Sequence, residues 1–383
     1  MSVTAAQGFR AAGVAAGLKS TGANDVALVV NDGPLAAAAG VFTRNRVKAA
    51  PVLWSQQVLT AGVVRAVALN SGGANACTGS DGFLDTHRTA EHVAALLGIG
   101  AGDVAVCSTG LIGVRLPTDL LFAGLDAAHV ALSSDGGDVA ATAIMTTDSV
   151  PKTAVSAGEG FTVGGMAKGA GMLAPSLATM LVVVTTDAVA DASTLDSVLR
   201  AATRVTFDRV DSDGCTSTND TVLLLASGAS GVTPSYDDLR TQVTAVCASL
   251  ARQLVSDAEG ASKEIRIDVV DAASEDDAVD AGRAISRANL VKCAIHGEDP
   301  NWGRILAELG MTSAAFEPDA VDVAINGVWV CRDGATGDDR DLVDMSDREV
   351  TITVNLRAGT ASATIWTNDL TAEYVHENSA YSS

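Results

Sequence analysis

The densest chemistry in the chain lies in residues 160–188, GFTVGGMAKGAGMLAPSLATMLVVVTTDA, where glycines, one lysine and a threonine precede an apolar run. Phosphate binding fails on spacing. A Walker A loop needs GxxxxGK and then Ser or Thr, whereas Gly160 and Gly165 are followed by Met166. Gly169-x-Gly171-x-x-Ala174 meets the loose dinucleotide pattern, with Asp187 downstream, but that fingerprint must open a helix after a strand. Here Pro175 follows at once and MLVVVTT reads as a strand. The plain reading is a Gly-rich turn feeding a buried strand. It does not account for Lys168 and Thr179, nor for two other Gly-containing turns at strand ends. These are STGLIG at 108–113, after the strand at 104–106, and NSGGAN at 70–75. Backbone N–H groups in such turns point outward and can meet an oxyanion. Thr179, between the small Ala178 and a buried strand, is also suited to self-cleavage. Its hydroxyl can attack the preceding carbonyl, and scission frees an α-amine beside that hydroxyl. With a reference pKa of about 8, the amine can serve as base at neutral pH without a histidine.

These residues need strands to carry them. Short β-branched runs recur at 26–30, 64–70, 180–186, 221–226, 264–270, 321–325 and 350–356. Helical spacing separates them. Leu239, Val243, Val246, Leu250 and Leu254 mark one face of a helix over 239–254, and 194–202 and 278–291 read the same way. The final runs, VTITVNL and ASATIW joined by RAGT, predict an antiparallel hairpin. The acidic stretch 271–280 suits the solvated start of a helix. Strands and helices do not alternate strictly, so the class expected is α+β, with mixed sheets layered against helices rather than a doubly wound sheet. No repeat, long linker or domain boundary stands out.

Composition removes several functions. The 383 residues carry 25 Lys+Arg against 46 Asp+Glu, a net charge of −21, and only six residues are lysine. Such a surface repels phosphate backbones and anionic membranes, so neither nucleic acid nor a membrane is expected as partner. A hydrophobic fraction of 48% excludes a disordered chain. With Trp 4, Tyr 3 and Phe 7, the interior must be built from Ala, Val, Leu and Gly. No apolar run reaches the roughly 18 residues of a membrane span. Arg10 interrupts the N-terminal apolar stretch and no basic segment precedes it, so a cytoplasmic protein without a signal peptide is expected. Cys77, Cys107, Cys215, Cys247, Cys293 and Cys331 are scattered with no CxxC, which suits reduced thiols. The histidines His87, His92, His129, His296 and His376 form no HExxH, and no metal is expected.

Taken together, Lys168-Gly169-Ala170-Gly171-Met172, Ala178-Thr179-Met180-Leu181 and Thr185-Thr186-Asp187-Ala188 strongly resemble the ornithine acetyltransferase, or glutamate N-acetyltransferase, family of arginine biosynthesis. The likeness continues in GFRAAGVAAGLK (8–19), NSGGANACTG (70–79), STGLIG (108–113), DGCTSTND (213–220), DAEGASK (257–263) and DPNWGR (299–304). Gly73 stands where the family more often has Asn, and His296-Gly297-Glu298 where an aromatic is usual.

The resemblance implies the layered α/β sandwich of that self-processing type. It also implies cleavage between Ala178 and Thr179, giving an α chain 1–178 and a β chain 179–383 that fold together as one unit. Thr179 then is the nucleophile that accepts the acetyl group. Thr109 and Gly110 match the oxyanion-hole pair, and Thr147, Lys168, Glu259, Asn378 and Ser383 match substrate-binding positions. The implied reaction moves the acetyl group of N2-acetylornithine to glutamate, with acetyl-CoA a further donor in some members and no cofactor, by an assembly of two α and two β chains. Two other readings remain at this point: a self-processing aminopeptidase or amidase of similar fold, and an uncleaved binding protein in which Thr179 is a core strand residue.

Overall fold

Two runs of residues, 2–171 and 180–380, are described by the computed structural model. Packing sorts them into two units, one made of residues up to 208 with 215–257, the other of 209–214 with the residues from 258 on.

The first unit contains, in chain order, β1 (Phe9–Val14), β2 (Val26–Asn31), β3 (Ala37–Phe42), α1 (Ala50–Val58), β4 (Ala66–Asn70), α2 (Gly79–Leu97), β5 (Val104–Ser108), α3 (Thr118–Val130), α4 (Gly137–Ala143), β6 (Lys152–Gly158), β7 (Phe161–Lys168), β8 (Leu181–Thr186), α5 (Ala192–Val205), β9 (Thr221–Ala226) and α6 (Tyr236–Ser256). Its strands form a four-stranded sheet, β1-β2-β4-β5, and a five-stranded sheet, β3-β9-β8-β7-β6. Each sheet is mixed: β4 and β5 run parallel, as do β8 and β9, and the other pairs are antiparallel. Leu181 and Val183 of β8, with Leu223 and Leu225 of β9, enter the same core as Val26–Val30 and Ala66–Leu69 of the other sheet. On the opposite face of the five-stranded sheet, Gly165 of β7 lies so close to α6 that a Cβ there would stand 2.9 Å from Val246 and 3.1 Å from Leu250. With both faces covered, β8 and β9 are buried throughout, which is why LVVVTT and TVLLLA are continuous apolar runs rather than alternating ones.

The second unit contains β10 (Glu264–Ala272), α7 (Glu275–Arg287), α8 (Asn289–His296), α9 (Trp302–Leu309), β11 (Asp322–Ile325), β12 (Val328–Arg332), β13 (Ala335–Thr336), β14 (Glu349–Asn355), β15 (Ala361–Asn368) and α10 (Ala372–Ala380). Its six-stranded sheet has the order β13-β12-β11-β14-β10-β15. Ile265, Ile267 and Val269 of β10 share a core with Ile352, Val354, Ile365 and the helix residues Ala281, Ile285 and Ile295. The architecture is thus α+β, layered, with mixed sheets, as the order of elements predicts.

Two local expectations are corrected. First, β14 and β15 do not form a hairpin: β10 lies between them, parallel to β14 and antiparallel to β15. The connection passes over the end of β10, where the amides of Ala358 and Gly359 donate to the Asp271 carbonyl at 2.7 and 2.9 Å. Alternation of apolar residues is the same whichever strand is the neighbour, so it could not reveal the insertion. Second, the helix expected over 278–291 is two helices, because Ala288 adopts an extended backbone at φ −73°, ψ 103°. Ile285, Val291 and Ile295 face one core across the break, so the apolar spacing continues through it. The acidic stretch does lead into a helix, with Ser274 capping α7 by accepting from the Asp277 amide.

The crossing over β10 makes Gly359 a packing residue, since a Cβ there would stand 2.4 Å from the Ala272 carbonyl oxygen. Gly359→Ala is expected to lower stability by about 1–3 kcal/mol, measured by denaturant unfolding, whereas an open hairpin turn would tolerate it.

Candidate active site

Because β4 and β5 are parallel neighbours, with Asn70 opposite Ser108, the two Gly turns that follow them emerge side by side. The turns zip together. The Thr109 amide donates to the Asn70 carbonyl at 3.0 Å, the Gly73 amide to the Thr109 carbonyl at 3.0 Å, and the Ala74 amide to the Leu111 carbonyl at 3.1 Å. Ser108 Oγ donates to Asn70 Oδ1 at 2.6 Å, and Asn70 Nδ2 donates to the Gly73 carbonyl at 2.9 Å. Gly110 has φ +126°, and a Cβ on it would lie 2.7 Å from Gly73 N, so only glycine fits. Its N–H has no acceptor among the described residues.

Lys168 closes β7 and is buried, 2% exposed, which excludes a surface-loop role for it. Its Nζ donates to Thr109 Oγ1 at 3.3 Å. Because that oxygen already accepts, the Thr109 hydroxyl proton is left to donate elsewhere. The result is a hydroxyl donor and an amide donor on successive residues, with a lysine charge behind the hydroxyl. An array of this kind stabilises an oxyanion.

Thr147 is half-buried in the turn before β6, and this turn is tied to Lys168 through Asp148. Asp148 Oδ1 accepts from Lys152 Nζ at 2.7 Å and from the Gly169 amide at 2.6 Å, while its Oδ2 accepts from the Thr146 amide at 3.0 Å. Lys152 Nζ also donates to Asp257 Oδ2 at 2.5 Å, and the Ser149 amide to the same oxygen at 3.0 Å. Burial favours the neutral acid at Asp148. The charges of Lys168 and Lys152, with the Lys152 and Thr146 hydrogen bonds, outweigh burial and hold the carboxyl below its ordinary range.

Ala178 and Thr179 lie outside the described residues, but both chain ends that lead to them are placed. Lys168 of β7 pairs with Leu181 of β8, so the segment 169–180 starts and finishes side by side at one sheet end. Met180 N donates to Asp220 Oδ1 at 3.1 Å. The adjacent Asn219 donates both Nδ2 hydrogens, to the Ser108 carbonyl at 2.8 Å and the Ala74 carbonyl at 2.7 Å. One dipeptide at the entry to β9 therefore holds the residue following Thr179 and the residue preceding Thr109.

In the second unit, Glu259 and Asn378 come together, with Asn378 Nδ2 donating to Glu259 Oε2 at 3.0 Å. The helix α10 is seated there because Gly260 admits the backbone of Tyr374, which a Cβ would meet at 2.2 Å, and because Thr371 Oγ1 donates to the Gly260 carbonyl at 2.7 Å. Ser383 lies outside the described residues. Glu259 sits three residues past the end of α6. Trp302 opens α9 and packs partly buried on the core of the second unit, in keeping with a structural role. Asn70, Asp148, Lys152, Asn219 and Asp220 were assigned no role from the sequence. The visible signal for the last two was a polar pair set directly against a fully buried strand.

A hydroxyl donor and an amide donor on successive residues, set beside a strand connection that carries a threonine, are parts that an acyl-transfer enzyme requires. The model of the ArgJ family matches residues 10–383, and the chain belongs to that family. It is 69% identical over 383 residues to the arginine biosynthesis bifunctional protein ArgJ of Streptomyces coelicolor, covering 100% of both chains. To the protein of that name from Mycobacterium leprae it is 60% identical, covering 100% of this chain and 96% of the relative. Among solved structures, ornithine acetyltransferase from Mycobacterium tuberculosis, complexed with ornithine, matches at 63% identity and a TM-score of 0.45, over 47% of this chain and 96% of that one.

Two substitutions test the geometry. Thr109→Val, which removes the hydroxyl donor, should lower kcat by about 10²–10³; steady-state kinetics near wild type would show that this hydroxyl meets no developing charge. Lys152→Met strands Asp148 and Asp257 and should cost about 3–5 kcal/mol in denaturant unfolding, while a change within experimental error would show that the pair is not buried in solution.

Proposed function

We propose that this arginine-biosynthesis enzyme transfers the acetyl group of N2-acetylornithine to glutamate by a ping-pong route through Thr179, after the chain has cleaved itself between Ala178 and Thr179 into 1–178 and 179–383. The observation that carries the reading is the Asn219–Asp220 clamp, which brings the amide following Thr179 and the Thr109–Gly110 donors to one place.

In the first half-reaction, Thr179 Oγ attacks the acetyl carbonyl carbon and its proton passes to the freed Thr179 amine. The oxyanion is met by the Thr109 hydroxyl and the Gly110 amide. The C–N bond then breaks, the amine returns the proton, and ornithine leaves with the acetyl group esterified to Thr179. Glutamate's α-amine attacks that ester to give N-acetylglutamate and restore the hydroxyl. Acetyl-CoA, entering by the same acylation step, would let the enzyme also make N-acetylglutamate directly, in line with the bifunctional names of its relatives. No cofactor is needed.

Lys168 is assigned to polarising the Thr109 hydroxyl, since its buried position suits that better than reaching for a substrate carboxylate. Thr147 lines the acyl site. Glu259 and Asn378 are assigned to the amino-acid substrate, where a carboxylate suits the ornithine ammonium, and Ser383 is assigned to the same group. The working assembly is two α and two β chains in the cytoplasm. No helix among the described residues is long and apolar enough to cross a membrane. Family membership over residues 10–383 favours the transferase over the aminopeptidase reading.

Purified protein should run as two bands of similar mass on a denaturing gel, and Thr179→Ala as one inactive band; transferase activity surviving in that variant would exclude Thr179 as nucleophile. Ornithine release from N2-acetylornithine should require glutamate beyond the first turnover. Rapid release without acceptor would identify a hydrolase, and product from acetyl-CoA plus glutamate would establish the second activity.

A further inference from the structure

Asp220, a buried ionisable group of the first unit, holds the Met180 amide but takes no part in the proton transfers of the reaction above. It lies at the entry to β9 with no exposed surface. Oδ1 accepts the Met180 amide, but Oδ2 is buried and has no hydrogen-bond partner among the described residues. A buried polar atom without a partner costs about 1–3 kcal/mol, so its persistence calls for an explanation. Covalent geometry supplies the direction in which to look. Met180 N is bonded to the carbonyl carbon of residue 179, and three backbone bonds separate it from that residue's own nitrogen, a span of at most about 3.7 Å. An acid anchored on the Met180 amide is thus held to the peptide group next in the chain to the one that self-cleavage breaks.

We propose that Asp220 is the acid of self-cleavage, giving its proton to the nitrogen of Thr179 as that nitrogen leaves Ala178 and taking one back from the Thr179 hydroxyl. This rests on the self-cleavage reading and extends it. The steps balance. Thr179 Oγ adds to the Ala178 carbonyl carbon, the C–N bond breaks, and nitrogen, a poor leaving group as an anion, receives the Asp220 proton. The Oγ proton neutralises the Asp220 carboxylate. Ala178 is now esterified to Thr179 Oγ, and water cleaves the ester to a carboxylate on Ala178 and a free hydroxyl. Asp220 ends as it began, and no outside reagent is needed.

The surroundings suit a neutral acid. Burial raises the Asp220 carboxyl well above its ordinary range; hydrogen bonding, that of the Met180 amide first, and the charge of Lys168 offset this only in part. Asp148, also buried but bracketed by Lys152 and Lys168, is pushed the other way. Two aspartates in one unit are thus separated into an anion that braces the lysines and an acid that can give up a proton, a division that environment alone can impose.

The test uses the full chain made by cell-free translation, with cleavage followed in time on denaturing gels for wild type, Asp220→Asn and Asp220→Glu. Asparagine keeps the shape and the acceptor for the Met180 amide but has no acid proton. It should remain soluble, with wild-type circular dichroism, and cleave at least about 10²-fold more slowly. Glutamate should recover cleavage to within about tenfold of wild type. Asp220→Asn cleaving within threefold of wild type overturns the proposal. So does failure of Glu to recover any rate, or recovery of both variants only as aggregate, which would assign Asp220 to folding. A wild-type chain that never divides would instead remove the self-cleavage reading itself, an outcome separable from failure at Asp220 alone.

Discussion

The site depends on two consecutive side chains, Asn219 and Asp220, held at the mouth of a strand that is buried on both faces. β9 cannot shift without disturbing its neighbours β3 and β8, so the pair at its entry is fixed by the core rather than by loop preferences. From there Asn219 holds the carbonyl before Thr109, and Asp220 holds the amide after Thr179. Sites built on strand ends inherit the precision of the sheet, which is what placement of a nucleophile against oxyanion donors requires.

Electrostatics are arranged on the same principle. A chain of net charge −21 cannot draw carboxylate substrates in by its overall field, and four of its six lysines, Lys152, Lys168, Lys263 and Lys292, are buried in hydrogen-bonded positions. Desolvating an ammonium is costly unless acceptors surround it. Asp148 and Asp257 fill that need for Lys152, and the Asp148 carboxylate also interacts with Lys168 behind the Thr109 hydroxyl. Recognition and catalysis are then local effects of a few placed groups in a low-dielectric interior, where a single charge carries far more weight than at the surface.

Much of the fold was legible as residue pattern. The runs at 26–30, 221–226 and 264–270 became β2, β9 and β10, and the leucine–valine spacing at 239–254 became α6. The misses have separate causes. β7 was hidden in a Gly-rich segment because Gly164 and Gly165 are there to admit close neighbours, not to make a turn. The hairpin at the end of the chain was misjudged because apolar alternation records which face is buried and is silent about which strand lies alongside.

The same division holds for the site. Residue type marked Lys168, a scarce cation, and Thr179, a threonine after a small residue, and glycine spacing marked the turn at 108–113, while the pairing of Thr109 with Gly110 came from the resemblance to the family. Composition likewise set the acidic, aromatic-poor character of the chain, and family motifs set its class. Only the tertiary structure decided that the turns at 70–75 and 108–113 form one ladder, that Lys168 faces a hydroxyl rather than solvent, and that Asp148 and Asp220 occupy opposite electrostatic surroundings. Those facts arise from contacts between residues tens to more than a hundred positions apart. Hydrogen bonding and desolvation act through distance in space, and spacing along the chain does not encode that distance.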